Sequence, residues 1–298
     1  MQQPQVTIVG SSNVDITALM NRLPSPGETV LADSYQLTSG GKGANQALAA
    51  ALAGARTEFI GAVGRDLNAQ IALEQLDAAG VVLERVARVE ANTGVAIIQV
   101  DAAAENCIAV VSGANAGVDA KAVRDAGALH GILVLQGEIP ASGIAAAIDA
   151  AEERVVLNLA PVIELQRQYL LAANPLVANE HEAALILAQL DGAQHPIDEP
   201  EETIAAKLLA HGIASVVITL GANGCLVAEG DQVQQLPAVK VAAVDTTGAG
   251  DAFTGALAAR LAAGDGLEQA AEFAGKFAAM SVQGHGAQAS YPRSLDTI

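Results

Sequence analysis

The sequence predicts an α/β fold of three layers, α/β/α, with a mostly parallel central sheet and a small inserted β-sheet that forms a lid. From residue 119 onward, apolar segments of strand length alternate with segments of helical periodicity, which is typical of a parallel sheet covered on both faces. Four earlier segments alternate apolar and polar residues, as expected of a sheet with one open face. Of the 298 residues, 51% are hydrophobic and only 2% are aromatic, so the core has to be built from Ala, Val, Leu and Ile.

The elements follow from these patterns in chain order. Core strands are predicted at residues 5–10, 57–64, 132–136, 155–159, 176–178, 215–220, 224–228 and 233–236. Helices are predicted at residues 66–79, 119–127, 141–151, 180–190, 201–211 and 267–282. Lid strands are predicted at residues 13–20, 28–37, 93–100 and 106–111. We expect one domain over residues 1–298, with the lid strands inserted at about 13–37 and 92–112.

The charge and the cysteine count narrow the class of protein. A formal net charge of −18 argues against nucleic acid and anionic membrane surfaces as partners. No apolar run is long enough to suggest a membrane span, and the N-terminus has no signal-peptide pattern. Cys107 and Cys225 form no disulfide framework, and the histidines show no metal-ligand spacing. We therefore expect a cytoplasmic protein.

A glycine-rich helix start is predicted in the stretch 244–255, which reads VDTTGAGDAFTG and follows an apolar run at 239–244. The order strand, turn, helix is expected here, with the helix ending near Gly264. Unpaired N–H groups at a helix start favour an anion, and Gly248 and Gly250 let the anion approach the backbone. Asp251, in the first turn, is then suited to take a proton during phosphoryl transfer to a hydroxyl. An ordinary cap with an acidic first turn is the alternative.

A second glycine-rich stretch, GGKGANQ at 40–46, opens a helical run that extends to Ala53. Lys42 and Asn45 are three residues apart and therefore share a face at the open end of the helix. Such a donor-rich start can hold sugar hydroxyls, whereas a glycine turn with an exposed lysine is the alternative. The stretch is not a P-loop, because Lys42 is followed by Gly43.

Asp15 and Glu138 each follow a predicted core strand. Asp15 lies where the first strand passes into the lid, so its carboxylate is placed to accept hydrogen bonds from sugar hydroxyls. Glu138 lies just past the carboxyl end of the strand at 132–136, where ligands of α/β sheets bind. The alternatives are a loop aspartate that caps local amides and a helix-start charge before Pro140.

Two further strand ends suggest a nucleotide site. Asn179 and Glu182 fit a capping box, or a position near a nucleotide phosphate and the waters of Mg²⁺. The stretch TLGANG at 219–224 fits either the wall of a nucleotide pocket or a hairpin turn. The first strand is followed by GSS, not by G-x-G-x-x-G, which weighs against a dinucleotide oxidoreductase.

Five motifs together resemble those of the ribokinase-type carbohydrate kinase family, over nearly the whole chain. They are GSSNVD at 10–15, RLPSPGET at 22–29, GGKGANQA at 40–47, NEHE at 179–182 and DTTGAGD at 245–251. The resemblance implies a ribokinase-like fold and ATP-dependent phosphorylation of D-ribose at its 5-hydroxyl. The alternatives are a kinase for another furanose or nucleoside, such as deoxyribose or a pseudouridine-like nucleoside, and a non-catalytic sugar-binding regulator.

The resemblance also implies roles for individual residues. Asp251 would be the base, and Gly248, Ala249 and Gly250 would form an anion hole. The residues implied to hold the pentose are Asn13, Val14, Asp15, Gly41, Lys42, Gly43, Ala44, Asn45, Glu138 and Asp251. The residues implied to contact ATP are Asn179, Thr219, Leu220, Gly221, Ala222, Asn223, Gly224, Gly250, Asp251 and Gly275.

The same resemblance implies two metal ions and a homodimer formed through the lid. The K⁺ ligands would come from Asp245, Thr247, Ser281, Gly284, Gly286 and Ser290. Glu182 would organise Mg²⁺ through water. The chain departs from the family pattern at Gly275, where an Asn near the adenine is common, and at Ala289, which replaces a common Pro.

Overall fold

The structure, a computed structural model, describes residues 5–103 and 105–295 of the chain. Residues 1–4 and 296–298, at the ends of the expected domain, lie outside the described residues, as does Ala104 in the predicted turn of the lid hairpin. The described part contains a nine-stranded sheet and a four-stranded sheet. The predicted α/β fold with a small second sheet is confirmed.

The central sheet is parallel over most of its width. Its strands are β1 Val6–Val9, β4 Thr57–Val63, β5 Val86–Arg88, β8 Ile132–Gln136, β9 Val155–Asn158, β10 Leu176–Asn179, β11 Ser215–Thr219, β12 Cys225–Glu229 and β13 Gln232–Leu236. They lie in the order β13-β12-β11-β10-β9-β8-β1-β4-β5. Neighbours from β11 to β5 are parallel, and β12 and β13 add an antiparallel edge. The carboxyl ends of the parallel strands therefore meet along one edge, where ligands of such sheets bind.

Helices cover both faces of this sheet. They are α1 Lys42–Leu52, α2 Asn68–Ala78, α3 Ala120–Ala126, α4 Ala141–Asp149, α5 Arg167–Leu170, α6 Glu180–Asp191, α7 Glu201–Ala210, α8 Ala249–Ala262 and α9 Leu267–Ser281. One core cluster joins α1, α2, α8 and α9 to one face, and a second joins α3 to α7 to the other. Within β8, Val134 belongs to the first cluster and Leu133 and Leu135 to the second, as the two-residue period of a strand requires. None of the helices in the described ranges combines the length and the apolar composition needed to cross a membrane.

The small sheet consists of β2 Asn13–Leu19, β3 Ser34–Gly40, β6 Gly94–Val100 and β7 Asn106–Val111, in the order β3-β2-β6-β7. The strand predicted at 28–37 begins later than predicted, at Ser34. Glu28 forms an ion pair with Arg22 and accepts a hydrogen bond from Ser25 N, which keep it in the preceding turn. The strand is displaced toward Gly40, which pairs with Asn13 at the base of the lid.

The strand predicted from the apolar run at 239–244 was also wrong. The segment contains no strand, and Val239, Val241 and Val244 are exposed. Val244 N donates to Val282 O at 2.7 Å, so the segment is attached to the end of α9 and not to a sheet. Sequence reasoning also missed β5 and α5, which are too short to show a period.

A close contact between α1 and α8 depends on Gly255. A Cβ added at Gly255 would lie 2.3 Å from Gln46 O and 2.6 Å from Ala49 Cβ. Gly255 follows Asp251 by four residues and therefore shares its face of α8. The missing side chain lets the start of α1 approach Asp251.

We expect Gly255→Ala to lower the free energy of unfolding by about 1–3 kcal/mol, because the added methyl group overlaps α1. Gly275→Ala is the matched control, since Gly275 is also inside a helix but an added Cβ would meet no atom within 4 Å. Helix propensity alone should make that variant more stable by about 0.5–1 kcal/mol. Urea unfolding measures both values, and shifts of the same sign would contradict the close approach at Gly255.

Candidate active site

A cleft lies at the carboxyl ends of the parallel strands, against the start of α8. It is lined by Lys42, Asn158, Ala160, Val177, Ala178, Asn179, Glu182, Thr219, Thr246, Gly248, Ala249, Gly250, Asp251 and Thr254. The sheet thus brings the ends of β9, β10 and β11 to the glycine-rich turn, although these segments are far apart in sequence.

Asp251 lies in the first turn of α8 with 5% of its surface exposed. Its Oδ2 accepts a hydrogen bond from Asn45 Nδ2, and its Oδ1 accepts one from Gln46 Nε2, each at 2.9 Å. An acid that only matches a helix dipole can stay in water, whereas this carboxylate is buried against two amides at the cleft. Gln46 was missed as a site residue, and its signal is a second amide in an Ala-rich helix.

Gly248 is the N-cap of α8 and adopts the left-handed conformation, with φ 74°. A Cβ there would lie 2.5 Å from Ala287 Cβ and 2.9 Å from Tyr291 Oη. Tyr291 Oη donates to Gly248 O at 2.9 Å, and burial raises the pKa of this phenol well above its usual value, with the charge of Asp251 adding to the effect. The turn is therefore held by a buried tyrosine that sequence reasoning missed.

Four carboxylates and one ammonium group interact in this region. The charge of Asp251 raises the pKa of Lys42, with smaller contributions from Glu138 and Glu182 that oppose the effect of burial. Burial raises the pKa of Asp15 to about 7, and the charges of Glu138 and Asp251 add to this. Lys42 lines the same cleft as Glu182 and Asp251. The alternative interpretation, a glycine turn with an exposed lysine, is therefore wrong.

Glu138 connects three segments at the base of the lid. Its Oε2 accepts hydrogen bonds from Ser11 Oγ at 2.6 Å and from Lys42 N at 3.0 Å. The start of α1 has no side-chain cap of its own, because its N-cap is Gly41. The Glu138 carboxylate, from a distant segment of the chain, therefore caps the first N–H of α1. Neither interpretation of Glu138 from the sequence had predicted this role.

The predicted pentose residues surround the junction of β1, β2 and α1. Asn13 Oδ1 accepts a hydrogen bond from Asn115 Nδ2 at 2.7 Å, and Asn115 Oδ1 accepts one from Ser12 N, so Asn115 holds this loop although the sequence did not indicate it. Added Cβ atoms at Gly41 and Gly43 would overlap the backbone of residues 10–13. The Val14 and Ala44 side chains are fully buried. Neither residue therefore presents surface to a ligand, although both had been predicted to hold the pentose.

The predicted nucleotide residues are only partly brought together. Asn179 and Glu182 form the capping box, with Glu182 N donating to Asn179 Oδ1 at 2.8 Å, and both residues also line the cleft. Thr219 lines the cleft as well. The next five residues, Leu220, Gly221, Ala222, Asn223 and Gly224, form the turn between β11 and β12 and are not among the cleft-lining residues. Gly275 lies in α9, also outside the cleft lining.

The loop after α9 folds back onto Asp245. Asp245 Oδ2 accepts a hydrogen bond from Gly286 N at 2.8 Å, and Oδ1 accepts one from Thr247 N at 2.9 Å. Burial alone would raise the pKa of Asp245, but these bonds and that of Thr247 Oγ1 lower it. The loop is compact, since a Cβ at Gly284 would lie 3.1 Å from Ser290 Cβ. The predicted K⁺ ligands Asp245, Thr247 and Gly286 are therefore neighbours in the structure.

The raised pKa of Asp15 predicts that the stability of the protein depends on pH. An aspartate in an unfolded chain has a pKa of about 3.9, so between about pH 4 and 7 the folded protein binds a proton that the unfolded chain has released. The free energy of unfolding should therefore fall as pH rises through this window. We expect Asp15→Asn to remove this loss, so the variant gains stability over the parent from pH 4 to pH 8. Asp33→Asn, an exposed change, is the control, and parallel pH curves for Asp15→Asn and the parent would contradict the prediction.

Comparison with known proteins supplies the family. The profile described as pfkB family carbohydrate kinase matches residues 3–294. A ribokinase of Staphylococcus aureus is 38% identical, covering 97% of this chain and 96% of its own, and a deoxyribokinase of Salmonella typhi is 34% identical, covering 96% and 95%. The structure of Arabidopsis thaliana ribokinase complexed with ribose and ATP matches with a TM-score of 0.85 and 33% identity, covering 98% of this chain and 96% of that one. The chain therefore belongs to the pfkB family of carbohydrate kinases.

Proposed function

We propose that the protein transfers the γ-phosphoryl group of ATP to the 5-hydroxyl of D-ribose, giving ribose 5-phosphate and ADP. The observation that carries this proposal is the buried Asp251 carboxylate at a glycine-bounded helix start, in one cleft with Lys42. The similarity to proteins named ribokinase, one of them solved with ribose and ATP, supports the choice of both substrates.

The transfer needs a proton acceptor and a site for negative charge. Asp251 accepts the proton of the 5-hydroxyl as the bond between that oxygen and phosphorus forms. The backbone N–H groups of Gly248 and Gly250, at the start of α8, would hold the charge that develops on the phosphoryl oxygens. Ala249 N donates to Thr246 O at 3.1 Å and would have to exchange that bond to join them. ADP leaves in line as its bond to phosphorus breaks, with no covalent intermediate on the protein.

The two substrates occupy opposite sides of Asp251 in this proposal. The pentose lies at the junction of the lid and α1, where Asp15 accepts no hydrogen bond from described residues and is available for hydroxyls. The nucleotide phosphates lie in the cleft beside Asn179, Thr219 and Lys42. Lys42, a cation next to Asp251 and Glu182, is suited to neutralise phosphoryl charge, which extends its predicted role beyond the sugar.

Mg²⁺ fits this site as an ion held mainly by substrate phosphates and water. Within residues 5–103 and 105–295, no cluster of three or more His, Cys, Asp or Glu side chains is suited to a metal ion. Glu182, which keeps one carboxylate oxygen outside the capping box, is placed to bind waters of the ion. When bound, the ion would neutralise charge on the phosphate oxygens.

K⁺ is proposed beside the turn of α8, held by Asp245 and the loop after α9. We expect activity to fall sharply when K⁺ is replaced by Na⁺ or choline at constant ionic strength, because Na⁺ is smaller than K⁺ and choline is too bulky for oxygen ligands to coordinate. Asp245→Asn should remove the difference between K⁺ and Na⁺. Equal rates in all three salts would argue against a cation at this loop.

A sugar panel tests the proposed activity. The purified protein is incubated with ATP, Mg²⁺ and K⁺ and one sugar or nucleoside, and ADP release is followed. We expect the highest kcat/KM with D-ribose. A higher value with deoxyribose would favour the second candidate, which the similarity to a deoxyribokinase supports. Ribose binding by calorimetry without ADP release would favour a sugar-binding regulator.

A homodimer formed through the lid is a further part of the proposal. The lid sheet leaves apolar side chains in water, among them Tyr35 with 70% and Ile108 with 54% of its surface exposed. Sedimentation should give twice the mass of the 30.0 kDa chain, and Ile108→Glu should give a monomer.

The single-domain organisation and the cytoplasmic location stay predictions from the sequence.

A further inference from the structure

Gln46 uses its side chain entirely inside the protein. Its Nε2 donates to Asp251 Oδ1 and to Asn158 Oδ1, each at 2.9 Å. An amide nitrogen carries two hydrogens, so these bonds use both. Its Oε1 accepts a hydrogen bond from Gln136 Nε2 at 2.8 Å, and the residue is fully buried. Gln46 is therefore not needed for a direct contact with substrate.

The direction of these hydrogen bonds is fixed by the backbone. Asn158 Nδ2 donates to Val177 O at 2.9 Å, and a carbonyl oxygen can only accept. Asn158 therefore presents its Oδ1 to Gln46, and Gln46 has to present its Nε2 in return. A flipped Gln46 amide would place its oxygen against the oxygens of Asn158 and Asp251, and its nitrogen against the nitrogen of Gln136.

This fixed donor acts on a carboxylate that is removed from water. A hydrogen bond to a charged group is stronger than one between neutral groups, and a buried charge without donors is costly. The second oxygen of Asp251 is held by Asn45, whose own Oδ1 accepts a hydrogen bond from Gln288 Nε2 at 2.9 Å. With one donor on each oxygen, the carboxylate cannot turn freely, and each oxygen keeps capacity for one more hydrogen bond.

We infer that Gln46 is a positioning residue for phosphoryl transfer: its amide holds the Asp251 carboxylate in the orientation in which an oxygen faces the substrate hydroxyl. This inference rests on the proposed role of Asp251 as the base. It assigns a function to the second amide of the GGKGANQ stretch, with Asn158 and Val177 O setting its orientation.

Gln46→Met tests the inference, because methionine has a similar shape but cannot donate. We expect kcat to fall by about 10- to 100-fold with little change in KM for sugar or ATP, since only the alignment of the base is lost. Gln136→Met is the matched control: it removes a buried amide from the same network but leaves both donors to Asp251 in place. Its free energy of unfolding should fall by an amount comparable to that of Gln46→Met. Its kcat should fall several-fold less than that of Gln46→Met. Equal losses of kcat in the two variants would overturn the inference.

Gln46→Glu provides a second test with the same side-chain shape. The introduced carboxyl can donate to Asp251 only while it is protonated, and once ionised it repels both Asp251 and Asn158 Oδ1. The activity of the variant relative to the parent should therefore fall as pH rises. A ratio that is constant with pH would overturn the inference, even if Gln46→Met does not fold.

A stability measurement separates this inference from the proposed function. The free energies of unfolding of the parent, Gln46→Met, Asp251→Ala and the double variant form a double-mutant cycle. We expect the effects of the two substitutions to be non-additive. If the two changes in the free energy of unfolding are additive, Gln46 and Asp251 are not coupled, and the inference is overturned. If the unmodified protein releases no ADP with any sugar, the proposed function fails, and the cycle still tests the pairing.

Discussion

Asp251→Asn is expected to lower kcat by about 10²–10⁴-fold, because an amide cannot take the proton from the sugar hydroxyl. KM for ribose should change little, since other groups proposed to bind the sugar, such as Asp15 in β2 and Glu138 in the turn after β8, lie outside α8. Steady-state ADP release with ribose, ATP, Mg²⁺ and K⁺ measures both constants.

The control for this change has to remove a charge without touching the cleft. Glu272→Gln does so on the exposed face of α9, and it should keep the parent's kcat. Thermal unfolding of Asp251→Asn shows whether the new amide, which faces donors from Asn45 and Gln46, disturbs the fold. Near-normal turnover in a folded Asp251→Asn variant would exclude this residue as the base.

Gly248→Val is expected to have the second largest effect. The left-handed conformation costs a residue with a side chain about 1–2 kcal/mol, and the new side chain would also overlap Ala287 and Tyr291. The turn has to move, which displaces the N–H groups proposed as the anion hole. Loss of one such donor lowers kcat by about 10²–10³-fold, and we expect a loss of this order here.

Gly80→Val separates backbone strain from the effect on the anion hole. Gly80 has the same φ of 74°, but an added Cβ there would meet no atom within 4 Å, and the residue is not in the cleft lining. We expect the variant to lose stability and to keep the parent's kcat. A comparable loss of kcat in both variants would mean that the turn at Gly248 acts only through stability.

The strands and helices of the core could be predicted because each has enough residues to show its period. The strand at Ile132–Gln136 has the predicted bounds, because its apolar run is short and a glycine lies on each side of it. The run at 239–244 shows the limit of this reasoning. Apart from Lys240 it is apolar, yet it lacks a neighbouring strand, and hydrogen bonding to a neighbour is what makes a strand.

The candidate site could be proposed from the sequence where its groups lie in one short stretch. The glycine-rich turn with Asp251, and the second turn with Lys42 and Asn45, stand out because glycine and asparagine are poor choices inside a helix. Asn158, Tyr291 and Asn115 gave no such signal. Each is an ordinary residue in its own segment and gains its role only from a partner more than 40 residues away.

By itself, the sequence determined the alternation that makes a three-layer fold, and the two glycine-rich helix starts that supply an acid and a set of N–H donors. Local periodicity and backbone freedom are properties of a few adjacent residues, so they can be seen without a structure. Only the tertiary structure decided which oxygen of Asp251 each amide holds, that Glu138 caps α1, and that Lys42 lies among three carboxylates. These facts depend on distances between elements, and those distances are set by packing, as at Gly255, where the absence of one side chain brings α1 against α8.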